Sequence, residues 1–212
     1  MDCSRCIRGY IATGIITLLS ACGGGSDDPP NPPVDDPPNP PVTASTGVFV
    51  DGVVVGLHYE TPTFSGTTNN AGEYDFLPGE TVTFSIGGVV LGSTTAGPVV
   101  TPLSLVSGAT GPTDPVVTNI VRFLLTLDED GDPDNGITIS AAVTAAAAGL
   151  SLDFTTVDLA ADTGVIALLA ALSPPPTLVS SAVAQAHFTE ILATTWGIMN
   201  WGSGTWKAAA GP

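Results

Sequence analysis

Residues 67–88 read TTNNAGEYDFLPGETVTFSIGG, and this stretch decides the fold of the first half of the chain. Its runs EYDF (Glu73–Phe76) and TVTFSI (Thr81–Ile86) alternate polar and apolar side chains, which is the two-residue period of a half-buried strand. Asn, Gly and Pro at residues 69–72 and 78–79 supply the turns between the runs. Short alternating runs separated by such turns predict an antiparallel β-sandwich.

We place this module over residues 46–110, because Val, Thr, Phe and Gly dominate the sequence on both sides of the quoted stretch. Together with GVFVDGVVVGLHYE at residues 47–60, it resembles the prealbumin-like sandwich modules of bacterial surface proteins, of the carboxypeptidase-regulatory and collagen-adhesin B-repeat type. In those modules the counterpart of residues 67–76 is a hairpin, so the resemblance implies a hairpin here. Residues 47–139 also look like the N-terminal region of a group of Gram-negative lipoproteins, which implies a location in the cell envelope.

The pattern becomes helical in residues 111–212. Asp114 offers a side-chain acceptor for a helix N-cap, and Pro115 suits the first helical position. From there apolar residues recur at helical spacing on one face, namely Val117, Ile120, Val121, Leu124 and Leu127. The sequence therefore predicts a helix over residues 114–127.

Four more elements are predicted beyond this helix. Residues 136–140 predict a strand, and a small helix follows, capped by Ser140 and stopped by Gly149. Two further helices are predicted over residues 163–172 and 179–199. The predicted apolar face of the last one consists of Val183, Ala186, Ile191, Thr194 and Trp196. The predicted fold class is therefore α+β, a β-sandwich followed by a mainly α-helical region.

An acidic loop, DEDGDPDNG, occupies residues 128–136. Its aspartates alternate around a glycine, and Ca²⁺ prefers six to eight oxygen ligands from a sharply turning backbone. Neither register of the loop matches an EF-hand, because Pro or Asn falls where the invariant glycine belongs. Two interpretations stay open. One is a solvated acidic turn, and the other is a calcium site with the ligands Asp128, Asp130, Asp132 and Asp134.

The chain has two histidines, His58 in a predicted strand and His187 in the last predicted helix. His187 and Glu190 lie on one helix face, because they are three residues apart. No zinc-protease motif, hydrolase nucleophile elbow or phosphate loop accompanies them in the sequence. We therefore predict no catalytic residues, no enzyme activity and no cofactor besides the candidate Ca²⁺.

The N-terminus has the order of a secretory signal, since Arg5 and Arg8 precede an apolar run that ends in small residues. As a helix this run of a dozen residues would span about 18 Å, which is too short for a hydrocarbon core of about 30 Å. The run ends in LSAC at residues 19–22. An ordinary signal peptide cleaved near Ala21 is the alternative, but it would leave an unpaired thiol at Cys22 in an exported protein, so we favour a different interpretation.

The LSAC sequence resembles the lipobox of bacterial lipoproteins, in which the cysteine becomes the first mature residue and carries acyl chains such as palmitate. The resemblance implies a signal peptide over residues 1–21 and lipidation of Cys22. Lipoproteins retained at the inner membrane often have Asp after the cysteine. Gly23 stands there in this chain, so the resemblance favours the outer membrane of a Gram-negative bacterium.

A linker is predicted over residues 22–45. It contains the octapeptide DDPPNPPV twice, at residues 27–34 and 35–42. Proline fixes φ and extends the residue before it, so this segment should adopt polyproline II geometry and reach about 50 Å. We expect no folded domain in the signal peptide or in this linker.

The charge balance excludes one class of partner. The chain has 20 acidic and 4 basic residues, for a net charge of −16. Nucleic-acid binding requires a basic face that displaces counterions from phosphates. Beyond the predicted signal peptide the basic side chains are Arg122 and Lys207, so no such face can form.

These features together predict an outer-membrane lipoprotein that acts as a non-catalytic interaction or adhesion module, facing the periplasm or the cell surface. Its predicted partners are the membrane, through the lipid on Cys22, and an envelope or extracellular protein or glycan. Two alternatives stay open. One is that the chain is the N-terminal accessory module of an envelope hydrolase, and the other is that it is a calcium-dependent adhesin that uses the acidic loop.

Overall fold

The computed structural model of the chain describes residues 43–195, and residues 1–42 and 196–212 lie outside the described part. Within it, nine β-strands and four α-helices form a mixed α+β fold, as predicted. The strands are β1 (Ser45–Phe49), β2 (Val54–Val55), β3 (His58–Glu60), β4 (Ser65–Thr67), β5 (Glu73–Phe76), β6 (Thr81–Ile86), β7 (Val89–Thr95), β8 (Val99–Val100) and β9 (Ile137–Thr138). The helices are α1 (Pro115–Thr126), α2 (Ala141–Ala146), α3 (Thr163–Ala171) and α4 (Ser181–Thr195).

Several predicted elements are confirmed, although the predicted strand over residues 136–140 is shorter in the structure. The runs EYDF and TVTFSI are β5 and β6, and the strand predicted at residues 136–140 is β9. The carboxylate of Asp114 accepts hydrogen bonds from the amides of Val116 and Val117 and so caps α1. Ser140 caps α2 in the same way. No helix within residues 43–195 combines the length and hydropathy that a membrane-crossing helix needs.

The strands form three sheets. One is antiparallel with the order β4-β3-β6-β7, a second has the order β5-β1-β8, and the third is the pair β2-β9. The antiparallel prediction for residues 46–110 is wrong for one pair, because β1 and β8 are parallel. In addition, β2 pairs in parallel with β9, which lies beyond that range. A parallel pair needs a long crossover connection. Here the chain runs through the four-stranded sheet before β8 returns beside β1.

Aromatic rings join the four-stranded sheet to the sheet that contains β1 and β5. The ring centroids of Phe49 and Phe84 are 4.7 Å apart, and that of Tyr74 lies 5.2 Å from Phe84 and 5.7 Å from Tyr59. Such offset or edge contacts stabilise a core by about 0.5–1.5 kcal/mol per pair beyond the burial of area. The two sheets therefore pack face to face through these rings.

The hairpin predicted for residues 67–76 is wrong. β4 pairs with β3, whereas β5 pairs with β1, so the chain changes sheets between them. The side chain of Thr68 holds this crossing in place: its hydroxyl accepts from the amide of Leu57 at 3.0 Å and donates to the carbonyl of Val54 at 2.7 Å. Turn residues alone do not distinguish a hairpin from a crossing between sheets, because both require the same reversal of the chain.

The face predicted for the last helix is also wrong, except for Ile191, which is partly buried against the core. α4 buries Ala184, Phe188 and Leu192, whereas Val183 is 56% exposed. Ala186 and Thr194 are exposed, and Trp196 lies outside the described residues. Because apolar side chains occur all around this helix, the sequence pattern does not single out one face. Packing against α1 selects the stripe at i, i+4 and i+8.

The two predicted segments share one core. Buried residues from both belong to a single cluster, which includes Phe84 of β6 and Leu124 of α1. The pair β2–β9 links them directly, since Val54 lies beside Ile137. All of the described residues belong to one compact unit. The change near residue 110 is thus a change of secondary structure within a continuous core.

Candidate functional site

A cleft of about 280 Å³ lies where three distant parts of the chain meet. Its walls come from residues 52–53 in the turn after β1, from residues 133–136 in the acidic loop, and from one face of α4. The α4 residues are His187, Glu190, Ile191 and Thr194. We call this feature the junction cleft.

The structure brings His187 and Glu190 together on one helix face, as the sequence predicted. It also places Asp134 of the acidic loop in the wall of the same cleft. No local pattern connects the loop with the helix, because more than 50 residues separate them. Their proximity follows from the packing of α4 against α1, since the loop begins just beyond the end of α1.

Behind His187 lies the carboxylate of Asp51, which precedes Gly52 in the turn after β1. Asp51 is fully buried, and its Oδ1 lies 3.4 Å from Nε2 of His187. The same Nε2 lies 3.4 Å from the backbone carbonyl oxygen of Asp51. Neither oxygen of the Asp51 carboxylate has a hydrogen-bond partner. The contact is therefore an ion pair at a long separation. The charge of His187 offsets the cost of burying the Asp51 carboxylate.

The pKa values of both members of this pair are raised. Burial raises the pKa of the Asp51 carboxyl, and the neighbouring His187 opposes this only in part. Burial on its own lowers the pKa of His187, but contact with Asp51 and the charges of Asp51 and Asp134 raise it by more, so the net direction is upward. A proton is thus held between the two groups more tightly than on an isolated imidazole.

Asp51 could not be identified as a site residue from the sequence. It stands in the sequence VDG, which signals a tight turn, and Gly52 has the positive φ of 77° that such a turn needs. Turn aspartates are mostly exposed. The burial of this one results from α4 covering the turn, which is a long-range contact.

The four predicted calcium ligands do not converge. Asp128 accepts from the amide of Thr138 at 2.8 Å, whereas Asp130 accepts from the amide of Asp132 and from the side chain of Asn135. Asp132 caps a short 3-10 turn through the amide of Asp134. Among residues 43–195, no group of three or more His, Cys, Asp or Glu side chains is arranged to hold a metal ion.

Two of these carboxylates nevertheless contact each other. Oδ2 of Asp128 is buried and has no hydrogen-bond partner. Burial is the main cause that raises the pKa of the Asp128 carboxyl, and the charge and proximity of Asp130 raise it further. The pKa of Asp130 is lowered, chiefly by the hydrogen bond from Asn135. A proton or a cation between the two groups would relieve their repulsion.

The polar side chains that line the junction cleft are two carboxylates, an imidazole, an amide and one hydroxyl. The hydroxyl, on Thr194, donates to the backbone carbonyls of Glu190 and Ile191 within α4. It is therefore engaged with its own helix. Carboxylates and an imidazole remain at the wall, and these groups accept hydrogen bonds from cations.

The predicted lipidation site, Cys22, lies outside the described residues, as do the predicted signal peptide and residues 22–42 of the linker. Comparison with protein-family models, with curated proteins and with solved structures finds no match for this chain.

Proposed function

We propose that this chain is a lipid-anchored, non-catalytic interaction module of the outer membrane of a Gram-negative bacterium, and that its folded part binds a partner of positive charge. The acyl chains on Cys22 and the proline-rich linker would hold the folded part away from the membrane surface. The LSAC sequence and the doubled DDPPNPPV octapeptide support the tether.

The observation that carries the binding function is the charge of the folded part. Residues 43–195 contain fifteen acidic side chains and a single basic one, Arg122. That guanidinium is engaged inside the fold, where Nε donates to the carbonyl of Val179 at 2.8 Å and Nη1 donates to Oδ1 of Asn119 at 3.3 Å. The described surface therefore attracts cationic partners and repels anionic ones.

The finer fold assignment belongs to the same proposal. We propose that residues 46–110 form a prealbumin-like sandwich of the kind found in bacterial surface proteins. Two sheets that face each other through Phe49, Tyr74 and Phe84 support this assignment. The parallel partner strands β8 and β9 depart from an antiparallel sandwich.

Metabolic labelling with an alkyne analogue of palmitate tests the tether. In a Gram-negative host the full chain should incorporate the label and sediment with outer membranes, whereas Cys22→Ser should lose both properties. A Cys3→Ser, Cys6→Ser double variant is the matched control and should keep the label. Label retained by Cys22→Ser, or an unlabelled wild-type chain released into the periplasm, would contradict the proposal.

A second candidate function is calcium-dependent adhesion, and one observation favours it. The buried and unpartnered Oδ2 of Asp128 lies beside Asp130, which is an arrangement that a bound cation would neutralise. In this version the ion would order the acidic loop, and the loop would contact the partner.

Thermal unfolding with millimolar Ca²⁺ and with EDTA tests this candidate. A ligand at 100 times its dissociation constant adds about 2.7 kcal/mol, which should raise the midpoint by roughly 5–10 °C. Asp128→Asn should abolish that shift and should by itself raise the midpoint in EDTA, because its amide can donate to Asp130. Asp75→Asn, in β5, is the control that keeps the shift. Coincident wild-type curves would eliminate the calcium candidate.

A further inference from the structure

We propose that the junction cleft binds one cationic side chain of the partner protein, a lysine ammonium or an arginine guanidinium, and that Asp134, Glu190 and His187 are the groups that receive it. This inference rests on the proposed binding function and names the site and the chemical class of the group that enters it. The argument combines the size of the cleft, its charge and the buried carboxylate behind its wall.

The size of the cleft suits a side chain. Sites for drug-sized ligands and cofactors have volumes of about 300–1,000 Å³. The junction cleft, at about 280 Å³, lies just below that range and is open to solvent on one side. A single long side chain entering from a partner surface matches these dimensions better than a whole cofactor does.

The cleft wall contains two exposed carboxylates, those of Asp134 on the acidic loop and of Glu190 on α4. His187 is the one lining side chain that can carry a positive charge, and it does so only when it is protonated. The one basic side chain of residues 43–195, Arg122, donates to Val179 and Asn119 instead. A cation in the cleft would therefore meet two carboxylates without competition from a basic side chain of the described fold.

The buried Asp51 is the independent observation that points to a ligand. Its fully buried carboxylate has no hydrogen bond and is directed at the His187 ring, which forms part of the cleft wall. When His187 is neutral, Asp51 is a buried carboxylate without a charged partner, and such burial costs several kcal/mol in general. A positive charge beyond His187 would compensate Asp51 and at the same time hold the imidazole as a neutral acceptor.

Binding should therefore be linked to protonation of His187. The charged groups that face this ring are Asp51 on the turn after β1, Asp134 on the acidic loop, and Glu190 on α4 itself. A proton on His187 and a cation in the cleft satisfy the same carboxylates. Each should weaken the binding of the other, and by reciprocity the coupling is equal in both directions.

Proton NMR of the two histidines provides the test. The full chain in a neutral detergent has only His58 and His187, so a His58→Gln variant assigns their resonances. Titration with Nα-acetyl-arginine amide and with Nα-acetyl-lysine amide should shift the His187 signals and leave those of His58 in place. Nα-acetyl-citrulline amide has nearly the shape of the arginine probe but no charge, and it should shift neither.

The expected magnitudes follow from a like charge placed near an imidazolium. Saturating arginine probe should lower the pKa of His187 by about one unit. Reciprocity then makes binding about tenfold weaker well below that pKa than well above it. Glu190→Gln and Asp134→Asn should each weaken binding severalfold, whereas Glu129→Gln, an exposed acid of the same loop outside the cleft, should not.

Three outcomes would overturn the inference. They are a His187 pKa that stays constant at saturating probe, equal shifts with the citrulline probe, and shifts that disappear in EDTA and so report a divalent metal ion. The result is separable from the proposed tether, because a chain that fails to acylate Cys22 can still bind the probe. Conversely, an acylated chain whose His187 ignores the probe would refute the cleft site alone.

Discussion

At the residue scale, the molecule is distinguished by one buried charge. Most fully buried side chains of this protein are apolar, yet Asp51 is as buried as Phe84. A carboxylate at that depth is tolerated when an opposite charge lies near it, and His187 is the group within reach at 3.4 Å. The pair joins the turn after β1 to α4 across 136 residues of sequence.

Because this pair holds a proton in the folded state, the stability of the protein should fall as the pH rises. The raised pKa of His187 means that its contribution is fully present below about 6.5, the ordinary value, and is lost as the pH rises through the folded-state value. The raised pKa of Asp51 acts in the same direction, because its ionisation opposes folding above its ordinary value of 3.8. Denaturant titrations between pH 5.5 and pH 9 should therefore show a decreasing free energy of unfolding.

Substitution of His187 should show how much the buried Asp51 carboxylate destabilises the fold when it has no partner. We expect His187→Gln to lower the free energy of unfolding by about 3 kcal/mol at pH 6, where the imidazole is protonated and Asp51 loses a positive partner. At pH 4.5 the loss should be much smaller, since Asp51 can then take up a proton. The double variant His187→Gln, Asp51→Asn should recover most of the loss at pH 6. Equal losses at both pH values would contradict the account.

At the scale of the elements, α1 positions the chain segments that have little secondary structure of their own. The side-chain amide of Asn119 donates to the carbonyls of Phe154 and Thr156, both at 3.0 Å. Thr126 accepts from the amide of Val179 at 3.0 Å, just before α4 begins. A helix that is buried on nearly all sides thus uses polar groups to fix the loops that pack on it.

The hydrogen bond from Val179 should be measurable in isolation. Thr126→Val keeps the shape of this buried side chain but leaves the amide of Val179 without its acceptor, so we expect a loss of about 1–2 kcal/mol in the free energy of unfolding. Thr189→Val is the matched control, because the exposed Thr189 donates only to a carbonyl of its own helix. That control should change stability by less than about 0.5 kcal/mol. Similar values for both variants would argue against a structural role for Thr126.

The hairpin between β6 and β7 packs its glycine turn against α2. The amide of Gly88 donates to the carbonyl of Ala147 at 2.9 Å. A Cβ atom at Gly88 would stand 2.6 Å from the carbonyl oxygen of Leu150 and 2.9 Å from the amide nitrogen of Gly149, both of which belong to the backbone. The turn therefore has no room for a side chain.

Gly88→Ala should lower the free energy of unfolding by about 1–3 kcal/mol, because the backbone of residues 149–150 must move to accept the methyl group. Gly111→Ala is the control, since a Cβ atom there meets no atom within 4 Å. Chemical denaturation of both variants checks the comparison. A Gly88 variant as stable as the Gly111 variant would show that the hairpin can shift away from α2 at little cost.

At the scale of the whole molecule, the sheets and the helices depend on the same core. Phe84 and Leu124 are both fully buried in one cluster, and the parallel pair β2–β9 has one strand from each segment. Neither part would retain its buried surface if the other unfolded. The described fold should therefore behave as one cooperative unit.

Native-state hydrogen exchange tests this cooperativity. The slowest amides of β6 and of α1 should open with the same free energy, and added denaturant should lower both values with the same slope. Helices that lose protection at a lower free energy, while β6 stays protected, would instead establish two folding units that separate near residue 110.

The sequence by itself determined what depends on neighbours along the chain. The period of two in β5 and β6, the caps at Asp114 and Ser140, and the acidic charge follow from local composition and geometry, and the structure contains the strands and caps where the pattern predicts them. Of the candidate site, the sequence predicted that His187 and Glu190 share a helix face, because that relation is also local.

Only the tertiary structure decided which distant groups meet. It selected the buried stripe of α4, sent β4 and β5 into different sheets, and covered Asp51 with the helix that carries His187. The physical reason is that several arrangements satisfy the same local pattern. An apolar residue can face either of two neighbours and a turn aspartate can be exposed or covered, so the choice is made by the packing of the whole core rather than by local preference.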